Sequence, residues 1–299
     1  MTHKLNKILV QYSFAVILFL KLRFIFSVVD DFIRKLLKVK PNLYLLEYHV
    51  ADHCNLNCKG CFHFSNIVGT RDFPSFELYS RDIKKLKELF GNINTIRLMG
   101  GEPLLNPQLV LFINETRKVF PRANIHILSN GLLYKKLEGE LLEAVKSCGV
   151  EIHVSLYKPM LDKKENAKRY FQVNSIKYSM SNPILQFAKY INVSGSSGPK
   201  ESVKQCPASR CVFLSNGHIA RCPLPFNIKH FNKFFGQLLY MEHEHINIHD
   251  QNLDGFVLKQ KLRKPMESCR FCGKLEWFDW ELDSPDKSRI KMSDFCRSE

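Results

Sequence analysis

Eight residues, Cys54-Asn55-Leu56-Asn57-Cys58-Lys59-Gly60-Cys61, constrain this chain more than any other stretch. A loop of that size can bring three thiolate sulfurs onto three irons of one cubane cluster. Four-iron clusters are normally held by four cysteines, so three would leave one iron open to a small molecule. Two other readings fit the same thiols. They could be part of a zinc site, or half of a ferredoxin-like cluster loop, although such loops use other spacings and a fourth cysteine.

A chain of 299 residues is ample for one large domain with an appendage. The formal net charge of +15 allows contact with nucleic acid, an anionic membrane face or an anionic substrate. The lysines are spread widely and no nucleic-acid-binding motif is visible, so nucleic acid is not expected as a partner. The ten cysteines fall in an N-terminal triplet and a C-terminal set, with Cys148 isolated as a buried core thiol. Close C-x2-C pairs without a cleavable leader read as metal ligands in a reducing cytoplasm, not as disulfides.

Residues 8–20 are strongly apolar, and residues 21–38 are amphipathic. Leu22, Ile25, Phe26, Val29, Phe32, Ile33, Leu36 and Leu37 recur at helical steps on one face. A membrane span here would bury Lys21 and Arg23, so the helix either lies on the inner membrane face or packs on protein. Strands are expected at 43–50, 95–99, 124–128, 150–154, 175–179 and 188–193, alternating with helices that include 75–90, capped by Ser75. That alternation indicates a parallel sheet. The cysteine loop, Gly100-Gly101-Glu102-Pro103, Ser129-Asn130-Gly131 and Ser155-Leu156-Tyr157 each follow a strand, and in a β/α barrel these positions converge on one face.

With those residues in place, the chain resembles the radical S-adenosylmethionine (SAM) superfamily over residues 43–195. The C-x3-C-x2-C loop is similar to the one that holds a [4Fe-4S] cluster whose open iron binds SAM. Gly100, Gly101, Glu102 and Pro103 resemble the motif that contacts the SAM amino group. Ser129, Asn130 and Ser155 resemble its carboxylate- and ribose-binding positions. The resemblance implies catalysis at Cys54, Cys58 and Cys61, a 5′-deoxyadenosyl radical, and an electron donor such as flavodoxin or ferredoxin. The family usually has an aromatic before the third cysteine. Gly60 stands there, with Phe62 or Phe64 as substitutes.

Residues 194–199 have linker composition, or form a loop over the barrel mouth. Cys206, Cys211, Cys222, Cys269, Cys272 and Cys296 follow. Residues 211–222 read as a hairpin turning at Asn216-Gly217 that brings Cys211 and Cys222 together. With Cys269 and Cys272 they could close a zinc or iron–sulfur site, with Cys206 able to replace Cys211 and Cys296 as a bystander. The pattern resembles the auxiliary-cluster extensions known as SPASM and twitch domains, which implies one auxiliary [4Fe-4S] cluster. Phe278 and Leu282 stand where a full extension would place further cysteines. His243, Glu244, His245 and His249 read as a solvated loop, Asp52 and His53 as structural hydrogen-bonders, and Trp277 and Trp280 as core or lid.

The expected architecture is a partial (β/α)6 barrel (43–195), an auxiliary-cluster domain (196–299) and an N-terminal helical segment (1–42). The resemblance of residues 47–65 to proteins of surface-polysaccharide synthesis implies oxidation or epimerisation of a free or carrier-linked sugar. The alternatives are a peptide-modifying maturase and a non-catalytic membrane-associated metal protein.

Overall fold

The computed structural model describes residues 26–69, 73–206, 208, 211–239 and 244–298. The apolar run 8–20, His243 and residues 21–25 of the amphipathic segment lie outside them. A helix, α1, covers residues 26–36. Among the described residues no helix is long and apolar enough to cross a membrane.

Five parallel strands build the sheet: β1 (Asn42–Ala51), β2 (Asn92–Gly100), β3 (Asn124–Ser129), β4 (Glu151–Val154) and β5 (Lys177–Met180). Between them run α2 (Phe76–Leu89), α3 (Leu109–Val119), α4 (Gly139–Ser147), the single turn α5 (Lys158–Leu161) and α6 (Lys164–Val173). Ser75 caps α2 by accepting from Leu78 N, as its position predicts. Ile96, Leu98, Ile125, Ile127, Ile152 and Val154 face these helices in one core. Residues alternating with them point to the other side of the sheet. This is the α/β fold with a parallel sheet expected for a partial barrel.

The sixth strand differs. β6 (Gln186–Ile191) does not join β5. It pairs antiparallel with β10 (Cys272–Asp279) instead. On the opposite edge, β7 (Phe213–Ser215) runs parallel to β1 and turns into β8 (His218–Ala220), which pairs with β9 (Ile246–Asn247). The hairpin turn has φ of 46° at Asn216 and 77° at Gly217, the left-handed pair its sequence predicts. Part of the expected C-terminal domain therefore continues the main sheet. The remaining helices are α7 (Pro199–Gln205), α8 (Leu224–Phe235) and α9 (Gly255–Arg263). A second core joins α8 to the cysteine loop through Phe64, Tyr190, Phe231 and Phe295, whereas Leu258 and Leu262 of α9 pack in the main core. Within residues 192–197, Asn192 bonds Ser196 and Ser197, and Arg270 bonds Gly195 O, which ties this turn to the body.

On the face away from the helices, His126 and His153 stack with centroids 4.1 Å apart. Burial, reinforced by the neighbouring imidazole, pushes His126 down to about 4, and burial also lowers His153. The unfolded chain takes up these protons near pH 6.5 (roughly), whereas the folded chain resists them. Stability is therefore full above about pH 6.5 and falls as pH drops toward 4. The melting temperature is expected to decline through that window, and His126→Gln to flatten the decline. An identical slope in the variant would contradict this assignment.

Candidate active site

The four strand-end segments meet. Cys54, Cys58, Cys61, Gly100, Gly101, Ser129, Asn130 and Ser155 line one cavity of about 220 Å³, together with His63, Met99, Tyr157 and Phe187. The approach between the loops depends on glycine. A Cβ on Gly100 would sit 2.0 Å from Ala51 O, and one on Gly101 would sit 2.2 Å from His53 O. Gly101 N donates to Ala51 O and Glu102 N to His53 O, at 2.7 and 3.1 Å. From β3, Asn130 Nδ2 reaches Asn55 Oδ1 at 2.7 Å and Cys54 Sγ at 3.5 Å.

Glu102 and Pro103 are not among the residues that line this cavity. The Glu102 side chain is fully buried and is not part of the cavity lining. It accepts from Leu104 N at 3.0 Å, Ser129 Oγ at 2.8 Å and Asn130 N at 2.9 Å. Burial pushes its carboxyl up to about 7, against these three bonds, which favour the anion. Glu102 thus shapes the β3 end that faces the cavity, and Pro103 starts the single buried turn behind it.

The C-terminal segment clamps the cysteine loop, a feature without a signal in the sequence. Lys59 N donates to Glu281 O, Asp283 N to Asn57 O, and Asn57 Nδ2 to Ser284 O, at 3.1, 2.6 and 2.8 Å. Leu282 forms a β-bridge with Cys58. Trp280 is buried, stacks on Tyr157 and packs against Cys58. This clamp also explains Gly60. At φ of 62°, a Cβ there would meet Asp294 O at 2.7 Å and the Phe278 ring at 2.9 Å. The ring that packs against Gly60 is therefore Phe278. Phe62 packs on Tyr190 and Phe64 lies in the second core. Asp52 bonds His49 at 2.9 Å and lies 3.4 Å from His230. Burial opposes its charge, but the two imidazoles hold its carboxyl well below the usual range.

Burial pushes the Cys54 thiol up to about 12 and raises Cys58 and Cys61 as well. Ionising three such thiols together requires a compensating positive centre. Among the described residues, three donor atoms close to within 4.8 Å of one another only at His126, Glu151 and His153.

The second cysteine set is Cys206, Cys222, Cys269 and Cys272, which line one small cavity with Arg221. Burial raises all four thiols, and the Arg221 guanidinium partly offsets this at Cys206 and Cys269. Cys211 is not among the lining residues. The pairing of Glu47 with Phe213 carries it to β1, and its thiol lies against Glu47. Cys296 lies outside the cavity lining, and the buried Cys148 bonds Asn114. Glu244 accepts from Ser268 N, His245 stacks on Phe226, and His249 bonds Asp82.

Residues 48–169 match the family model described as the Radical SAM superfamily. Among curated proteins, the GTP 3′,8-cyclase of Thermodesulfovibrio yellowstonii is 34% identical over 106 residues, covering 34% of this chain and 32% of that protein. The GTP 3′,8-cyclase of Lactiplantibacillus plantarum is 34% identical over 98 residues, covering 32% of this chain and 29% of its own length. The chain thus matches about a third of the length of these relatives. Among solved structures, BtrN in complex with AdoMet and 2-DOIA aligns at 18% identity and a TM-score of 0.48, over 79% of this chain and 95% of that chain. Streptococcus suis SuiB bound to S-adenosylmethionine aligns at 16% identity and a TM-score of 0.38, over 46% of this chain and 33% of that chain. The family match spans the cysteine loop and the loops after β2, β3 and β4, and supports a radical SAM core.

Proposed function

We propose that this chain is a radical SAM enzyme that abstracts a hydrogen atom from a sugar-type substrate, oxidising or epimerising it. The observation that carries the radical reading is the single cavity shared by the three cysteines, the glycine pair and the ends of β3 and β4. Cys54, Cys58 and Cys61 would hold a [4Fe-4S] cluster. When bound, that cluster supplies the electron that splits SAM into methionine and a 5′-deoxyadenosyl radical. The chain's own residues supply the rest of the site. Gly100 and Gly101 bare their backbone to the cavity beside the cysteines. Ser129, Asn130 and Ser155 offer polar groups to its lining, and Tyr157 and Phe187 offer apolar surface. Trp280 and the strand-like segment after it close the loop against water. Flavodoxin or ferredoxin would deliver the electron from outside.

The sugar reading rests on the resemblance of residues 47–65, and GTP is its competitor because the curated relatives are GTP 3′,8-cyclases. Deuterated nucleotide sugars and deuterated GTP separate the two. Deuterium passing from a sugar into 5′-deoxyadenosine supports the proposal, and passage from GTP alone overturns its substrate half. No transfer from either would favour a peptide substrate.

Cys206, Cys222, Cys269 and Cys272 would hold an auxiliary [4Fe-4S] cluster, with Arg221 offsetting its negative charge. Cys206→Ala is then expected to lower bound iron by about four per chain, while Cys211→Ala leaves it unchanged. The reverse ranking in an iron assay would contradict this ligand set.

A further inference from the structure

Helix α1 is attached to the body by its polar edge. Asp31 pairs with Lys259 at 2.6 Å and with Arg263 at 2.8 Å, and Arg263 also bonds Ser27 at 2.7 Å. Lys259 is 9% exposed in its side chain and Asp31 15%, so this joint is shielded from solvent. Asp30 is spent on Arg34, one turn along. The apolar edge consequently faces outward. Phe26, Phe32 and Leu36 are 69%, 63% and 67% exposed, and Val29, Ile33 and Leu37 extend the same surface. A helix packed on its own core shows the opposite arrangement, and a contiguous apolar face of this kind marks an interaction surface.

Charge identifies the occupant. Both acids of α1 are matched to cations within the chain, so the charge flanking the apolar face is positive, from Lys35, Lys38 and Lys40. Lys21 and Arg23 continue the basic pattern upstream, after the apolar residues 8–20. Two copies meeting through this face would bring like charges together. An anionic phospholipid surface satisfies both the apolar face and its basic border. We propose that α1 lies in the plane of an anionic bilayer surface, its apolar edge among the lipids and its Asp31 edge holding the enzyme body to it. The proposal is independent of the reaction and of its substrate.

The test is co-sedimentation of the full, cluster-loaded chain with phosphatidylglycerol/phosphatidylcholine vesicles, beside pure phosphatidylcholine vesicles. Binding to the anionic vesicles is expected to be at least about tenfold tighter. Phe32→Asp with Leu36→Asp, both on exposed positions, is expected to weaken it about tenfold or more while leaving the circular-dichroism spectrum unchanged. Lys35→Glu with Lys38→Glu should weaken binding to the anionic vesicles selectively. Equal binding to both vesicle types, undiminished binding of the Phe32/Leu36 variant, or a concentration-dependent dimer that excludes vesicles would each overturn the proposal.

Discussion

Glu102→Ala is expected to destabilise the chain by about 3 kcal/mol or more and to empty the cavity of its preference for SAM. Three buried donors, Leu104 N, Ser129 Oγ and Asn130 N, lose their acceptor together. Each unsatisfied buried donor costs about 1–3 kcal/mol, and water entering the gap recovers part of that. The loss extends to the site because Asn130 is also the residue that reaches Asn55 and Cys54. Glu102→Gln restores only part of the effect, since its amide N–H2 meets the N–H of Asn130 donor to donor. Urea unfolding and equilibrium SAM binding to the reconstituted protein read the two consequences separately. A Glu102→Ala protein of ordinary stability and SAM affinity would show that this carboxylate does not organise the β3 end.

Gly101→Ala is expected to be at least as severe. The added Cβ would lie 2.2 Å from His53 O, 2.4 Å from His53 C and 2.8 Å from Asp52 O, all of them backbone atoms that cannot rotate away. Relief requires parting the β2 loop from the cysteine loop and breaking the Gly101–Ala51 and Glu102–His53 bonds. Overpacking of this kind costs about 1–3 kcal/mol when the surroundings yield, and more when they are backbone. SAM affinity should fall by about tenfold or more, since the cavity wall and the thiols move apart. Gly69→Ala is the matched control, because its Cβ would meet nothing within 4 Å. If both variants bind SAM like the parent, close approach of the two loops is not what builds the site.

The parallel core and the converging loops were legible because local signals carry them. Strand and helix periods mark β1 to β5, and chemically unusual residues stand at the strand ends. What the sequence left hidden depends on contacts between distant segments. Nothing local in residues 186–191 says that they will leave β5 for β10. Trp280 and Leu282 reach Cys58 only through the fold, and Phe278 reaches Gly60 the same way. Cys211 pairs well with Cys222 on a hairpin drawn in isolation, but the pairing of β7 with β1 carries it to Glu47 and leaves Cys206 beside the other thiols. Glu102 has the residue type for contact with an ammonium, and only the fold shows that Leu104 N, Ser129 Oγ and Asn130 N donate to it. The amphipathic pattern of residues 21–38 was plain, whereas the direction in which α1 faces follows from Asp31 finding Lys259 and Arg263.

The most direct measurement is 5′-deoxyadenosine formation by the anaerobically reconstituted protein with SAM and a strong reductant, beside Cys58→Ala. The structure predicts product from the parent and none from the variant, because Cys58 is one of three thiols around the cavity. Parent protein fully loaded with iron that forms no 5′-deoxyadenosine, or a Cys58→Ala variant that forms as much as the parent, would contradict the radical SAM assignment.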